Sequence, residues 1–129
     1  MDDLALPLRA LLAADAGVVA FVGDRIYPEF VPPKGATLPA LTYFMVAQPL
    51  EHPSHDNPEG LPVQHFSIYC WALTYAAARE LAQTVGLALR GFDDAVAFVS
   101  GGHDDAVTDT AERTYYSALD VEMRGRAAA

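Results

Sequence analysis

The chain has 129 residues, enough for a single domain that buries about two thirds of the surface its unfolded chain would expose. With 17 acidic residues against 8 Lys and Arg, its formal net charge is −9, which disfavours contact with nucleic-acid backbones and anionic lipid surfaces. The single cysteine excludes an internal disulfide and a zinc site built from several cysteines, which indicates a reducing compartment.

The N-terminal segment predicts a short helix. Asp3 is a candidate N-cap, and leucines recur at helical spacing as far as Leu12, with an early interruption at Pro7. Two aspartates stand where a signal peptide carries positive charge, and no apolar run has the length that spans a bilayer. We therefore expect a soluble intracellular protein without membrane contact.

The next segments predict the first strands. A second apolar turn ends at Gly23 and leads into a short strand around residues 25–27. After a proline-rich loop, "ALTYFMVAQ" at residues 40–48 is aromatic and β-branched. This composition is typical of a central strand that is covered on at least one face.

A polar segment, "PLEHPSHDNPEGLP" at residues 49–62, predicts a long exposed loop. His52, His55 and Asp56 are the ligand types that zinc or nickel accepts, so a small metal-dependent enzyme is one alternative. The spacing is not that of a known metal motif, because the HExxH pattern is missing and prolines interrupt the segment. We expect a solvated loop and no metal or other cofactor.

Residues 63–72 predict a strand whose two faces are both partly apolar. Phe66, Ile68 and Cys70 alternate with His65, Ser67, Tyr69 and Trp71. A thiol at a strand-to-helix junction is a possible nucleophile, but Cys70 shares its strand face with Phe66 and Ile68. We therefore predict that Cys70 is a buried structural residue.

The following helix has a cap and an apolar stripe. Thr74 is the predicted N-cap, and the helix is expected to end at Gly91. The core-facing residues of this helix are predicted to be Tyr75, Ala78, Leu81, Ala82, Val85 and Leu89.

The C-terminal third predicts a strand, an acidic loop and a last strand. "AVAFVSG" is the strand, and the loop follows in "GHDDAVTDTAE", with His103, Asp104, Asp105 and Asp109. The loop lacks the alternating oxygen ligands of a calcium site, so we expect a solvated turn. Residues 113–124 then alternate cleanly between two faces, one of which is wet or docks a partner.

These elements predict an α+β fold with one domain, residues 1–125, and a frayed C-terminal tail, residues 126–129. The domain is a mainly antiparallel sheet with two principal helices packed on it, in the order α-β-β-β-α-β-β. No catalytic set can be assembled, so we expect no enzyme. Tyr69, Trp71 and Tyr116 lie on the second face of the sheet, where aromatic residues either pack under a helix or anchor a protein interface.

Four segments in order carry a resemblance to a known family. They are "LRALLAADAGVVAFVGDRIYP", "LPALTYFMV", "QHFSIYCWALTYAAARELAQTVGLAL" and "YYSALDVEMRG". Together they resemble the tail-completion or tail-terminator family of long-tailed phages and prophages, long known as a domain of unknown function. The histidine-bearing segment "EHPSHDNPEG" departs from the pattern.

The resemblance implies a structural protein in the virion tail, made in the host cytoplasm, that forms a ring, generally of six copies. Such a ring stops the growth of the tail tube and joins it to the head connector, while DNA passes through without specific binding. It implies three kinds of partner: further copies of the chain, the tail tube protein and the connector protein. Another head-tail connector protein, a stopper or an adaptor, is the alternative within the same assembly.

For the individual residues, the resemblance and the residue pattern together give two expectations. Tyr69, Trp71 and Tyr116 are expected near the subunit interface. The polar loops are expected on the rim or in the lumen of the ring, and their residues of interest are His52, His55, Asp56, Asp104 and Asp105.

Overall fold

A sheet of five strands carries three helices on one of its faces. The structure is a computed structural model, and it describes residues 5–29, 32, 37–47, 63–91, 95–108 and 113–125. The helices are α1 (Ala5–Ala14), α2 (Ala16–Val22) and α3 (Tyr75–Leu89). The strands are β1 (Ile26–Tyr27), β2 (Ala40–Ala47), β3 (Val63–Ala72), β4 (Ala95–Thr108) and β5 (Arg113–Gly125).

The spatial order of the sheet is β1-β2-β3-β5-β4, which places β3 at its centre. The pairs β2–β3, β3–β5 and β4–β5 are antiparallel, and only the two-residue β1 runs parallel to its neighbour β2. The predicted mixed α+β class with a mainly antiparallel sheet is confirmed. The predicted N-terminal helix is followed by a second one, α2, which begins where the Asp15 carboxylate accepts a hydrogen bond from the amide of Val18 at 3.0 Å.

The main core lies between the helices and the sheet. Its most deeply buried large side chains include Leu8, Leu12, Leu41, Phe66, Ile68, Leu81, Val85, Val121 and Met123. They come from α1, α3 and the three inner strands, so each strand contributes every second residue to this face. Each side chain of this size contributes about 1.5–3 kcal/mol when fully buried, which makes this layer the main source of stability.

Helix α3 forms as its sequence predicts. The Thr74 hydroxyl accepts a hydrogen bond from the amide of Ala77 at 3.2 Å, which satisfies one of the unpaired donors of the first turn. The predicted stripe is buried from Ala78 to Leu89. Tyr75 is the exception, because half of its side chain is exposed and its ring lies outside the core.

Strand β4 corrects one prediction. The segment that begins at Gly102 was predicted to be an acidic loop, but it continues the strand as far as Thr108. Asp104 and Asp105 therefore lie in a strand, paired with Ser117 and Tyr116 of β5, and not in a loop. The pairing with β5 outweighs the poor intrinsic strand preference of glycine and aspartate.

Two predictions fall on residues that the structure does not describe. One is the loop with His52, His55 and Asp56, and the other is the C-terminal tail at residues 126–129. Among the described residues, no single helix is long and apolar enough to cross a membrane, and α1 with α2 meets that test only as a pair bent by 84°.

Gly102 allows the close approach of β4 to β5. A Cβ atom at this position would lie 2.5 Å from the carbonyl oxygen of Ala118, closer than real Cβ atoms come to backbone. We predict that Gly102→Ala lowers the free energy of unfolding by about 1–3 kcal/mol, because the two strands must move apart. Urea denaturation followed by circular dichroism measures the change.

Gly86→Ala in α3 is the matched control, because a Cβ atom there would meet nothing within 4 Å. Alanine is the better helix former, so this substitution should raise the free energy of unfolding by up to about 1 kcal/mol. Equal effects of the two substitutions would contradict the close contact at Gly102.

Candidate functional site

The face of the sheet opposite the helices carries a group of aromatic rings, which we call the aromatic face. It consists of Phe44 from β2, Tyr69 and Trp71 from β3, His103 from β4 and Tyr116 from β5. The ring of Tyr69 lies at the centre and contacts the other four rings, and the centroid of Tyr116 lies 4.9 Å from that of Tyr69 and 5.0 Å from that of Trp71. His103 meets both tyrosine rings edge to face. These are the geometries that aromatic pairs prefer.

The three predicted interface residues differ in how a neighbour could reach them. Tyr69 is 9% exposed and Trp71 is 4% exposed, and the indole N–H of Trp71 donates to the hydroxyl of Thr42 at 2.9 Å. Tyr116 is only half-buried, and His103 beside it is exposed. The structure therefore brings the three predicted residues together, with Tyr116 and the added His103 on the outside.

Carboxylates surround the aromatic face. Asp105 stands directly opposite Tyr116 in the β4–β5 pair, and Asp120 accepts a hydrogen bond from the Ser67 hydroxyl at 3.2 Å. Burial and, second, the negative charge of Asp105 raise the pKa of the Tyr116 phenol above its ordinary value. These carboxylates place negative charge beside the aromatic rings, which favours a cationic partner.

Asp104 points to the other face of β4 and connects three elements. Its carboxylate accepts hydrogen bonds from the Ser117 hydroxyl at 2.6 Å and from the Tyr75 hydroxyl at 3.0 Å, and Arg79 lies 3.4 Å away. The Ser117 hydrogen bond is the largest cause that lowers the pKa of Asp104 below its ordinary value. Asp104 therefore ties the edge strand to β5 and to the start of α3.

The outer side of α3 presents a second surface, formed by Gln83, Leu87 and Arg90. Leu87 is 62% exposed, and Arg90 is exposed, with no acidic side chain within 4 Å in the part of the chain that the structure describes. Between this side of α3 and β4 lies an open groove of about 620 Å³, whose floor includes Leu89 and Val99. The described residues that line the groove include no nucleophile and no carboxylate.

Cys70 is fully buried on the helix side of β3, as predicted. Burial in an apolar environment raises the pKa of its thiol, so the reactive thiolate is not formed near neutral pH. Within residues 5–29, 37–47, 63–91, 95–108 and 113–125, no three His, Cys, Asp or Glu side chains converge in a way that could hold a metal ion. His52, His55 and Asp56 lie outside these residues.

The chain thus has two layers, with an aromatic face flanked by carboxylates on the side of the sheet opposite the helices. The family model described as "Tail completion protein gp17" matches residues 7–126, and the chain belongs to this family. It is therefore a phage tail structural protein and not an enzyme, and the resemblance seen in the sequence is confirmed.

The fold agrees with that of a chain in a solved structure of a virion. The chain is similar to a chain in the "Virion of native gene transfer agent (GTA) particle", with a TM-score of 0.60 and 21% sequence identity. The similarity covers 92% of each chain, so most of the fold is shared. No curated protein sequence matches this chain.

The environment of Asp104 predicts a pH dependence of stability. Its folded-state pKa is lowered, so its stabilising contribution is present above the unfolded value of about 3.9 and is lost as the pH falls through the folded value. We expect Asp104→Asn to lower the free energy of unfolding at pH 7 by less than about 1 kcal/mol, because the group is partly exposed. The difference from the unchanged protein should shrink below about pH 4 in urea denaturation.

Ser117→Ala is the matched variant for this experiment, because it removes the hydrogen bond that contributes most to the lowered pKa. When Ser117 is alanine, the effect of Asp104→Asn on the free energy of unfolding should differ less between pH 7 and pH 3. An effect of Asp104→Asn that is the same at pH 7 and pH 3 would show that the carboxylate charge has no role.

The position of Cys70 predicts an inert thiol. The native protein should not react with a maleimide or an aromatic disulfide at neutral pH, and the thiol should react fully after denaturation. Cys70→Ala should cost about 1 kcal/mol of unfolding free energy. Rapid modification of the native protein would contradict the structural role.

Proposed function

We propose that the chain is a tail terminator that assembles into a closed ring, in six copies by resemblance, on the head-proximal end of the tail tube. The ring stops the growth of the tube and presents the surface that joins the head connector. The family match over residues 7–126 is the observation that carries this proposal. The chain would be made in the host cytoplasm and reside in the tail of the virion.

The arrangement of the fold supports a role in which the sheet meets a neighbouring subunit. All three helices pack on one face of the sheet, and no helix among the described residues covers Tyr116 and His103 on the other. An aromatic surface of this kind is typical of protein interfaces, where tyrosine and tryptophan supply large rigid contact areas. Tyr116 would touch the neighbour, and the buried Tyr69 and Trp71 would support it from below.

The charge of the chain supports the passage of DNA. A net charge of −9 per subunit gives a ring a strongly negative surface, which repels phosphate and prevents DNA from binding inside the lumen. The loop with His52, His55 and Asp56 would lie on the rim or in the lumen, where the tail tube protein and the connector protein make contact. Asp104 accepts a hydrogen bond from Ser117 within the chain, and its place on the rim or in the lumen stays a prediction.

Deletion of the gene tests the function in the intact particle. Without this chain, electron micrographs should show tails of irregular length and heads without tails, because tube growth is not stopped and the joining surface is missing. Expression of the unchanged chain from a plasmid should restore joined particles. Cys70→Ala should restore them equally, since Cys70 lies inside the subunit.

Two other results would change the assignment. Tails of normal length that fail to join heads would indicate a connector protein, a stopper or an adaptor. Particles with normal tails that are joined to heads after deletion would contradict any role in tail completion.

A further inference from the structure

The opposite sides of the two-layer subunit carry complementary chemistry. On the sheet side, His103, Asp105 and Tyr116 form a patch that combines exposed aromatic surface with a carboxylate, and we call it the sheet patch. On the helix side, Gln83, Leu87 and Arg90 form a patch that combines exposed apolar surface with a guanidinium group, and we call it the helix patch.

The sheet patch has the properties of a site for a cation. Tyr116 offers a half-buried ring on the outside of the aromatic face, and Asp105 stands directly opposite it in the β4–β5 pair. The carboxylates of Asp120 and Glu122 lie on the same face of β5. A guanidinium group that lies over an aromatic ring next to a carboxylate gains both a cation–π contact and an ion pair.

The helix patch supplies such a cation. Arg79 is held by Asp104 at 3.4 Å, and the Arg25 guanidinium donates to the carbonyls of Pro39 and Phe21. Arg90 is exposed and has no acidic side chain within 4 Å in the described residues. Leu87 lies one turn before it on the same side of α3, so the cation is presented next to apolar surface.

The opposite charges of the two patches, and their positions on opposite sides of the domain, favour a second copy of this chain as the partner that binds the sheet patch. A sheet face with exposed aromatic rings is stabilised when a helix covers it, and the described residues place no helix there. The helix patch and the sheet patch lie on opposite sides of the two-layer domain. The helix patch of one copy can therefore bind a second copy while its sheet patch binds a third. Such a contact is heterologous, as a ring requires.

We propose that α3 of one copy, through Gln83, Leu87 and Arg90, covers the sheet patch of the next copy, so that Arg90 contacts Asp105 and Tyr116. This inference rests on the ring proposed above and specifies which two surfaces form its subunit contact. Each subunit then contributes the helix layer that its neighbour's sheet lacks.

A charge exchange tests the contact. Purified variants are compared with the unchanged protein by size-exclusion chromatography with light scattering, up to the highest soluble concentration. Arg90→Glu and Asp105→Arg should each weaken self-association about tenfold or more, since each places like charges in the contact. The double variant Arg90→Glu with Asp105→Arg keeps the net charge of −9 and should restore association.

Asp24→Arg is the matched control for Asp105→Arg. Asp24 lies in the exposed turn after α2, and its substitution changes the net charge by the same amount as Asp105→Arg. It should leave association unchanged. If the single variants associate like the unchanged protein, or if the double variant fails to recover, the proposed contact is wrong.

Cross-linking tests the geometry, and the buried Cys70 leaves a background without reactive thiol. Gln83→Cys and Asp105→Cys are made as separate variants and treated with a short bismaleimide. A mixture of the two should give cross-linked dimers, while each variant alone should give none. A chain with both substitutions should give a ladder of higher species that ends at the number of copies in the ring.

The outcomes separate this inference from the proposed function. Cross-linked dimers from either variant alone would indicate a symmetric contact and overturn the inference. If the unchanged protein stays monomeric at every concentration, the proposed contact between two copies of the chain is also wrong. In both cases the deletion experiment decides independently whether the chain completes tails.

Discussion

The pairing of β3 with β5 is the constraint on which the rest of the structure depends. The two strands pair without interruption from Val63 opposite Arg124 to Ala72 opposite Tyr115. Because side chains alternate along a strand, this register places Phe66 and Ile68 under the helices and Tyr69 on the other face. A shift of the register by one residue would exchange the faces of one strand relative to the other, and both the core and the aromatic face would be lost.

The two faces are stabilised in different ways. Beneath the helices, aliphatic side chains bury apolar surface in the usual manner of a two-layer domain. On the other face, ring packing and the hydrogen bond from Trp71 to Thr42 hold the aromatic residues without a helix above them in the described residues. That second layer rests on the sheet alone, so its outermost ring, Tyr116, has surface left for another molecule. A phage tail protein of this family thus combines a self-sufficient core with a face suited to association.

The sequence predicts what depends on neighbours in the chain. The Thr74 cap, the stripe of α3 and the two faces of β3 and β5 follow from short-range spacing, and the structure confirms them. The first half of β4 was predicted, but its continuation to Thr108 was missed because "GHDDAV" has the composition of a turn, and its strand conformation comes from pairing with β5. The same limit applies to Asp104, whose partner Tyr75 is 29 residues away in the chain. The sequence contains Tyr75, Arg79 and the acidic pair Asp104 and Asp105. No periodicity predicts, however, that a helix residue and a strand residue so far apart in the chain will be in contact.

The sheet also contains two irregularities in strand pairing, one in β2 between Met45 and Ala47 and one in β4 between Val99 and Gly101. Bulges of this kind twist a strand and spoil its edge as a template for further hydrogen bonding. An assembly protein is made in many copies, and β4, a strand of 14 residues, is at an edge of the sheet. The irregularity within it makes β4 a poorer template for the addition of further strands. In the ring proposed above, copies of the chain would then recognise one another through side chains, whose identity can be selected, and not through backbone, which every protein shares.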